Sequence, residues 1–482
     1  MVSKTWWRKY GKLPSIFEAF LHITLFFMVL EIGIHLPFSI FEVPFVVTAV
    51  LFLVLFLRGG WRKAKERFLL LIRRVAASKW LLIFLSAYIL LDIIGIFYSP
   101  AKDLAVVKYI VVVPMAFFCV MLVFYCENRG KITRILWNIG VSGTFLAVFT
   151  LFNYFVWEIL PVPYYRRLSM LVDYNRFATV VFIGFLVLLV LLLNSNLSLA
   201  KKYFAIFMVS LVNFPVLYLC GSRRTYLTLI PALITIAGYQ IISTAYKGKK
   251  SQVWKNAAAL VLVALLVFSI NAPFFRTFQN LSQSKYESYV EETGNEMTEG
   301  SIDTIIDSIG EGSMFAKRAA IWGLALDEAA SYSPMEMVVG RGTSYEAYLY
   351  DVRSSEKLDQ LYESYEPKVQ YWMTPHNFLI SDFLSGGILK LGASLGVWSC
   401  IALCLVQLLR YKTSRSLFYG VGLCIVFINC MISGRYSYIY EKHFWIFVAL
   451  MILEWGIVKQ ERMIGSQNSF TSSPEDMKGI AK

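Results

Sequence analysis

The chain carries about twelve apolar runs of roughly 17–25 residues, the length a helix needs to cross about 30 Å of hydrocarbon at 1.5 Å per residue. They fall near 16–36, 38–57, 80–98, 104–126, 135–157, 176–194, 203–219, 226–245, 254–271, 383–409, 416–432 and 443–459. The runs are continuous rather than alternating, which excludes a β-barrel. Of the 482 residues 57% are hydrophobic and 16% charged, more apolar surface than a soluble chain can hide. The predicted fold class is all-α: a polytopic membrane helical bundle of about 12 transmembrane helices with a helical extracytoplasmic loop subdomain. It divides into 1–271 (helices one to nine with short loops), 272–382 (the loop subdomain), 383–459 (the last three helices) and 460–482 (a disordered cytoplasmic tail). The first run is too long for a cleaved leader and reads as a signal anchor.

The net charge of +14 raises the question of nucleic acid, and the distribution answers it. The cations sit in alternate short loops: Lys4, Arg8, Lys9 and Lys12; Arg58 to Lys79; Arg129, Lys131 and Arg134; Lys201 and Lys202; Lys247 to Lys255; Arg410 to Arg415; Lys459 and Arg462. This is the positive-inside pattern. It predicts a multi-pass protein with both termini cytoplasmic, and places the segments around 99–103, 158–175, 220–225, 272–382 and 433–442 outside. Membrane lipids, with their anionic head groups, are the expected partners of this charge, and nucleic acid is not. The segment 61–79 mixes Trp61, Phe68 to Ile72 and many cations, and reads as an interfacial helix. The seven cysteines lie in or beside apolar runs, as small packing residues do.

The segment 272–382 differs in kind. It holds more than half of the 32 carboxylates. Its part 280–313 is polar and glycine-punctuated, as a mobile stretch would be. From 316 Ala319, Trp322, Leu326 and Ala330 fall at helical spacing. Pro334 ends or interrupts that helix, and a second helical piece is expected around 343–365.

Three outer features can carry chemistry: Gly221-Ser222-Arg223-Arg224-Thr225 between two apolar runs; Lys317-Arg318, followed by Gly340-Arg341-Gly342; and Thr374-Pro375-His376-Asn377 before a long apolar run. Each also has a plain structural reading. Arginines at helix ends snorkel to head groups, Arg318 can pair with loop carboxylates, and Pro375 can simply mark a helix start. Together they say more. Adjacent arginines in an outer turn run against the positive-inside trend, and a planar guanidinium fork suits phosphate oxygens. A histidine on the same face can accept a proton near neutral pH.

These residues resemble the O-antigen ligase and O-antigen polymerase superfamily of bacterial envelope glycan transferases. Gly221-Ser222-Arg223 is similar to that family's Gly-Ser-Arg. Arg318-Ala319-Ala320-Ile321-Trp322 with Gly340-Arg341-Gly342 resembles its Arg-x-x-x-Trp helix and Gly-x-Gly turn. His376-Asn377-Phe378-Leu379-Ile380, with Gly387 beyond, resembles its His-Asn-x-x-Leu helix opening. The likeness covers roughly 215–400. Two positions depart from it: Arg224, where a small residue is commoner, leaves open which arginine meets substrate, and Lys390 stands where another small residue is common.

The resemblance implies a metal-independent inverting glycosyltransferase in the bacterial inner membrane, with no cofactor. No Asp-x-Asp motif of nucleotide-sugar enzymes occurs. The donor would be an undecaprenyl-diphosphate-linked glycan, and the acceptor lipid A-core or another lipid-linked glycan. Arg223, Arg224 and Arg318 would hold the diphosphate, and His376 with Arg318 would be catalytic. Ser222, Asn377, Gly340 and Gly342 would support them. A single dominant outer loop and a short 158–175 loop favour a ligase over an O-antigen or exopolysaccharide polymerase using the same donor. A lipid-glycan transporter is the competing class. Its candidate intramembrane carboxylates Glu31, Asp92 and Glu454 are few and show no clustering in sequence. Arg435, Glu441 and His443 lie near the same face without a motif of their own.

Overall fold

In a computed structural model of the protein, the described residues are 12–34, 39–160, 162, 167–171, 173–246, 250–293, 313–354, 374–411, 416–432 and 437–471. Among them every regular element is helical. Among the described residues nine helical segments are long and apolar enough to cross a membrane, and three shorter apolar helices, Glu42–Leu57, Thr225–Tyr239 and Leu417–Ile432, occupy further apolar runs. The chain is a multi-pass membrane protein. Helices satisfy their own backbone amides, which hydrocarbon demands.

The chain separates into two compact units, residues 1–55 with 133–316, and 56–132 with 317–482. The first holds α1 (Leu13–Gly33), nearly all of α2 (Glu42–Leu57), most of α6 (Arg129–Phe152), α7 (Tyr174–Leu193), α8 (Leu199–Leu219), α9 (Arg223–Tyr246) and α10 (Lys250–Thr293). At its centre is α7, buried from Phe177 through Leu193 except at Thr179. A helix apolar on every side belongs in such a place. It lies against α6 at two glycines: a Cβ on Gly143 would meet Gly184 Cα at 2.8 Å. Small residues let membrane helices approach this closely, where dispersion replaces the hydrophobic effect as the driving force.

α10 runs well past the apolar run at 254–271, through Pro273 to Thr293. The expected loop at 280–293 is therefore helix. Aromatic packing accounts for the extension: Phe275 stacks on Tyr218 at 4.5 Å, and Phe278 meets Tyr154 at 5.2 Å. Tyr154 belongs to the π-helical turn Asn153–Trp157 that ends α6.

The second unit holds α3 (Gly60–Val75), α4 (Lys79–Tyr98), α5 (Lys102–Tyr125), most of α11 (Ser313–Ala330), α12 (Pro334–Val339), α13 (Tyr345–Tyr348), α14 (Phe378–Arg410), α15 (Ser416–Ile432) and α16 (Lys442–Thr471). In α3, Ala64, Arg67 and Leu71 are buried while Trp61, Phe68 and Ile72 are exposed. α4 and α14 run together, with Gly396 set against the Phe84 ring. Arg74 donates to the carbonyls of Val123 and Phe124, closing the C-terminal end of α5. Arg129 reaches the fully buried Glu454 at 2.8 Å and Glu461 at 2.9 Å.

Three sequence expectations shift here. Pro334 does not interrupt α11, which ends at Ala330. It is instead the first residue of α12, behind a capping box in which Ser333 and Glu336 satisfy each other's backbone amides. The second expected helical piece is short: α13, then a π-helical turn at Leu349–Arg353, with residues 355–373 outside the described set. The tail read as disordered is helical through Thr471.

Valine at Gly143 or Gly184 is expected to lower the detergent melting temperature, at a cost of about 1–3 kcal/mol for overpacking. Gly392→Ala, in open space, is expected to leave it unchanged or slightly raised; circular dichroism on heating checks all three.

Candidate functional site

In the first unit, Gly221 takes a left-handed turn (φ 68°) out of α8, and Ser222 caps α9. Its hydroxyl accepts the Thr225 amide at 3.4 Å and donates to Asn175 Oδ1 at 2.9 Å. Arg223 and Arg224 are then the first two residues of α9. Cations at that end oppose the helix dipole, a cost of roughly 0.3–1 kcal/mol each at the surface. The segment 167–176 lies alongside: Leu168 donates to the Leu219 carbonyl at 3.1 Å, and Arg167 sits 4.2 Å from the Tyr174 ring centroid. Arg167 and Arg176 thus join the surroundings of the Gly-Ser-Arg turn, a role sequence reading did not assign. Their signal was the same as for Arg223, cations in a segment that charge bias places outside.

In the second unit, the His376 turn is tied to the Arg318 helix. The Trp322 indole donates to the Pro375 carbonyl at 2.7 Å. Arg318 is one helical turn before Trp322, on the same face, where i and i+4 side chains are neighbours at about 5–6 Å between Cβ atoms. Ile321 and Ala325 share a buried core with Tyr332, Tyr345, Leu349, Tyr350 and Leu384, against which Trp322 and Ile380 pack. His376 itself is held at φ 55°. That conformation costs of order 1–3 kcal/mol for a side-chain-bearing residue, and such outliers concentrate at functional sites. Asn377 follows as the cap of α14, accepting the Leu379 amide at 3.0 Å.

α14 is broken at Gly387 (φ 60°, ψ −158°). The break frees the carbonyls of Leu384 and Ser385 from their helical partners. The Gly340-Arg341-Gly342 turn takes them: the amide of Arg341 donates to Leu384 at 3.1 Å and that of Gly342 to Ser385 at 2.9 Å. Tyr332 adds its hydroxyl to the Leu384 carbonyl at 2.8 Å. Both glycines are sterically required. A Cβ on Gly340 would lie 2.4 Å from the Gly386 nitrogen, one on Gly342 2.6 Å from Ser99 Cα, and both have positive φ.

Beneath the turn lies a buried charge cluster. Lys390 Nζ reaches Asp92 Oδ1 at 2.5 Å, Ser385 Oγ at 2.9 Å and Asp382 Oδ1 at 3.6 Å. The Tyr88 hydroxyl is 2.5 Å from Asp382. Thr343 donates to the Asp92 backbone carbonyl at 2.6 Å. Lys108 binds Ser344 Oγ at 2.7 Å and Glu346 at 3.2 Å. The three intramembrane carboxylates have separate partners: Asp92 joins Lys390 and Asp382, Glu31 bonds Ser39 and the Phe41 amide, and Glu454 bonds Arg129. Lys390, noted only as a departure from a small residue, is the cation that makes Asp92 and Asp382 tolerable in an apolar setting.

Outside the spans, Arg341 bonds Glu328 and Glu336. That guanidinium, with the Ser333 amide and hydroxyl, holds the Glu336 carboxyl down at about 2. A depressed carboxyl stabilises the fold above its ordinary value, and the contribution fades only as pH falls toward 2. His443 is buried, Glu441 half-buried, and Arg435 lies outside the described residues.

Ser222, Arg223 and Arg224 belong to the first unit, and Arg318, Gly340, Gly342, His376 and Asn377 to the second. Compared with known proteins, the chain matches no protein-family model and no curated protein.

Breaking the buried pair is expected to cost more than removing it. Lys390→Met and Asp92→Asn should each destabilise by about 3–5 kcal/mol, and the double variant by clearly less than their sum. Thermal unfolding of the four proteins in detergent closes the cycle.

Proposed function

We propose that the protein transfers a glycan from undecaprenyl diphosphate to an acceptor hydroxyl, in the manner of the O-antigen ligase and polymerase superfamily, and that the acceptor is lipid A-core. The observation that carries this reading is the Trp322–Pro375 hydrogen bond, which fastens the Arg318 helix to the strained His376 turn. It puts a guanidinium and an imidazole, 58 positions apart in the chain (376 − 318), on one small body. The reading includes twelve spans, both termini in the cytoplasm and the 272–382 segment outside, as the alternation of cationic loops implies.

The chemistry needs little else. A lipid diphosphate is already a good leaving group. Arg318 neutralises charge as it departs, and His376 takes the proton of the acceptor hydroxyl as oxygen attacks the anomeric carbon, inverting it. Arg223 and Arg224, set against the dipole at the start of α9, bring cationic charge that a diphosphate would offset.

One observation favours the transporter reading: the Asp92, Lys390 and Asp382 cluster lies within the apolar segments, where pathway residues are found. Against it, the cluster is cross-neutralised and bonded to the Thr343 segment, as a structural lock would be.

His376→Ala is expected to lower transfer by about 10²–10⁴-fold, and Arg318→Ala and Arg223→Ala to abolish it, while each variant inserts and accumulates normally. The assay is purified protein with undecaprenyl-diphosphate glycan and lipid A-core, without nucleotide or metal. Glycan crossing a vesicle membrane with no new bond formed would establish the transporter instead.

A further inference from the structure

Arg341, the middle residue of the turn that caps broken α14, has no part in the transfer chemistry above. Beside it opens a cleft of about 590 Å³ walled by Tyr98, Glu336, Arg341, Tyr345, Tyr348 and Arg353, a size within the roughly 300–1,000 Å³ of ligand sites. The whole wall lies in the second unit.

The polar groups of this wall are fixed in advance. Arg341 lies 4.4 Å from the Tyr332 ring centroid and 5.5 Å from that of Tyr345. Its Nε bonds Glu336 at 2.8 Å, and its Nη1 bonds Glu328 and, at 2.9 Å, the Tyr345 hydroxyl. Arg353 Nη1 meets Glu328 at 3.0 Å, with half of its side chain exposed. A guanidinium has five N–H donors, more than one carboxylate can accept. Tyr345 packs at 5.9 Å from Tyr348, and the Tyr98 hydroxyl is anchored on the Val339 carbonyl at 2.7 Å.

The balance of charge decides what fits. The wall's two guanidinium groups are matched by two carboxylates they bond, Glu336 in the wall and the buried Glu328 behind it, so little net charge is left to offer an anion or a cation. An apolar ligand would strand the donors and acceptors, each costing about 1–3 kcal/mol if desolvated without a partner. A ligand that is uncharged, carries many hydroxyls able both to donate and to accept, and has a C–H face to lie on tyrosine satisfies every requirement. Glu336 stays an ionised acceptor for such hydroxyls throughout the physiological range.

We propose that this cleft binds neutral sugar units of the glycan being transferred. The identity of the saccharide rests on the transferase reading; the binding does not depend on catalysis. Tyr345 shares the buried core of the Arg318 helix, so the cleft and the His376 turn stand on one body, and the cleft grips sugars away from the reacting bond.

The test uses full-length protein in detergent and saccharide freed by mild acid from the source cells' lipid-diphosphate glycan, split by ion exchange into neutral and acidic fractions. Saturation-transfer NMR reads binding. The neutral fraction is expected to bind the native protein and His376→Ala alike. Tyr348→Ala and Arg353→Ala are expected to weaken it about tenfold, the equivalent of one lost contact of about 1.4 kcal/mol, while Tyr348→Phe, which keeps the ring, retains it. Absence of binding to the native protein, equal binding by the alanine variants at unchanged melting temperature, or preference for the acidic fraction overturns the proposal. Binding lost in the cleft variants while His376→Ala still transfers glycan would sink the transferase mechanism and leave the cleft standing.

Discussion

A broken helix cannot bury its freed carbonyls unpaired, and the second unit is arranged around that demand. Gly387 interrupts α14, two carbonyls come free, and a Gly-Arg-Gly turn from a distant part of the chain supplies the two amides. Each unsatisfied group would cost several kcal/mol in an apolar medium. The turn is therefore drawn in between α4 and α14, and the elements flanking it come with it: α12 and its capping box on one side, Thr343, Ser344 and Glu346 on the other. The first flank gives the cleft Glu336, and the second both binds the buried cluster through Thr343, Ser344 and Glu346 and gives the cleft Tyr345, Tyr348 and Arg353.

The same break shapes the start of α14. The segment from Phe378 to Gly386 is a short helix with its own cap at Asn377 and the strained His376 before it. The far end is closed by the turn, and the near end is held through Pro375 by Trp322. Strain at His376 persists because the geometry is fixed on both sides. Lys390 and Asp92 lock the arrangement laterally, joining α14 to α4 through a pair whose two members are each nearly or fully buried.

Much of this was legible in the sequence. The apolar runs located the helices because hydrocarbon admits few alternatives, and the helical spacing of Ala319, Trp322, Leu326 and Ala330 is that of α11. Glycines at 340, 342 and 387 stood out, although nothing in the sequence shows that the 340–342 turn packs on the helix break. What sequence could not supply was pairing at long range. Asp92 and Lys390 are separated by most of the chain, and each alone reads as an anomaly: an acid in one span, and a lysine where a small residue is usual. The extension of α10 through Thr293 was missed because its polar composition past 280 resembles a loop, while the rings that hold it, at Tyr154 and Tyr218, come from other helices. Arg167 was passed over because the turn that its neighbour Leu168 bonds, at Leu219, is far along the chain.

The contact between Gly340 and the α14 break is backbone against backbone. A methyl group added at Gly340 would collide with the main chain of Ser385 and Gly386, and one added at Gly387 with the main chain of Met337 and Val338. Main-chain atoms cannot be trimmed by a second substitution, so no compensating change exists for either. Divergent relatives that keep the broken helix should therefore hold both glycines as an inseparable pair, and those that lose one should have straightened the helix and given up the turn.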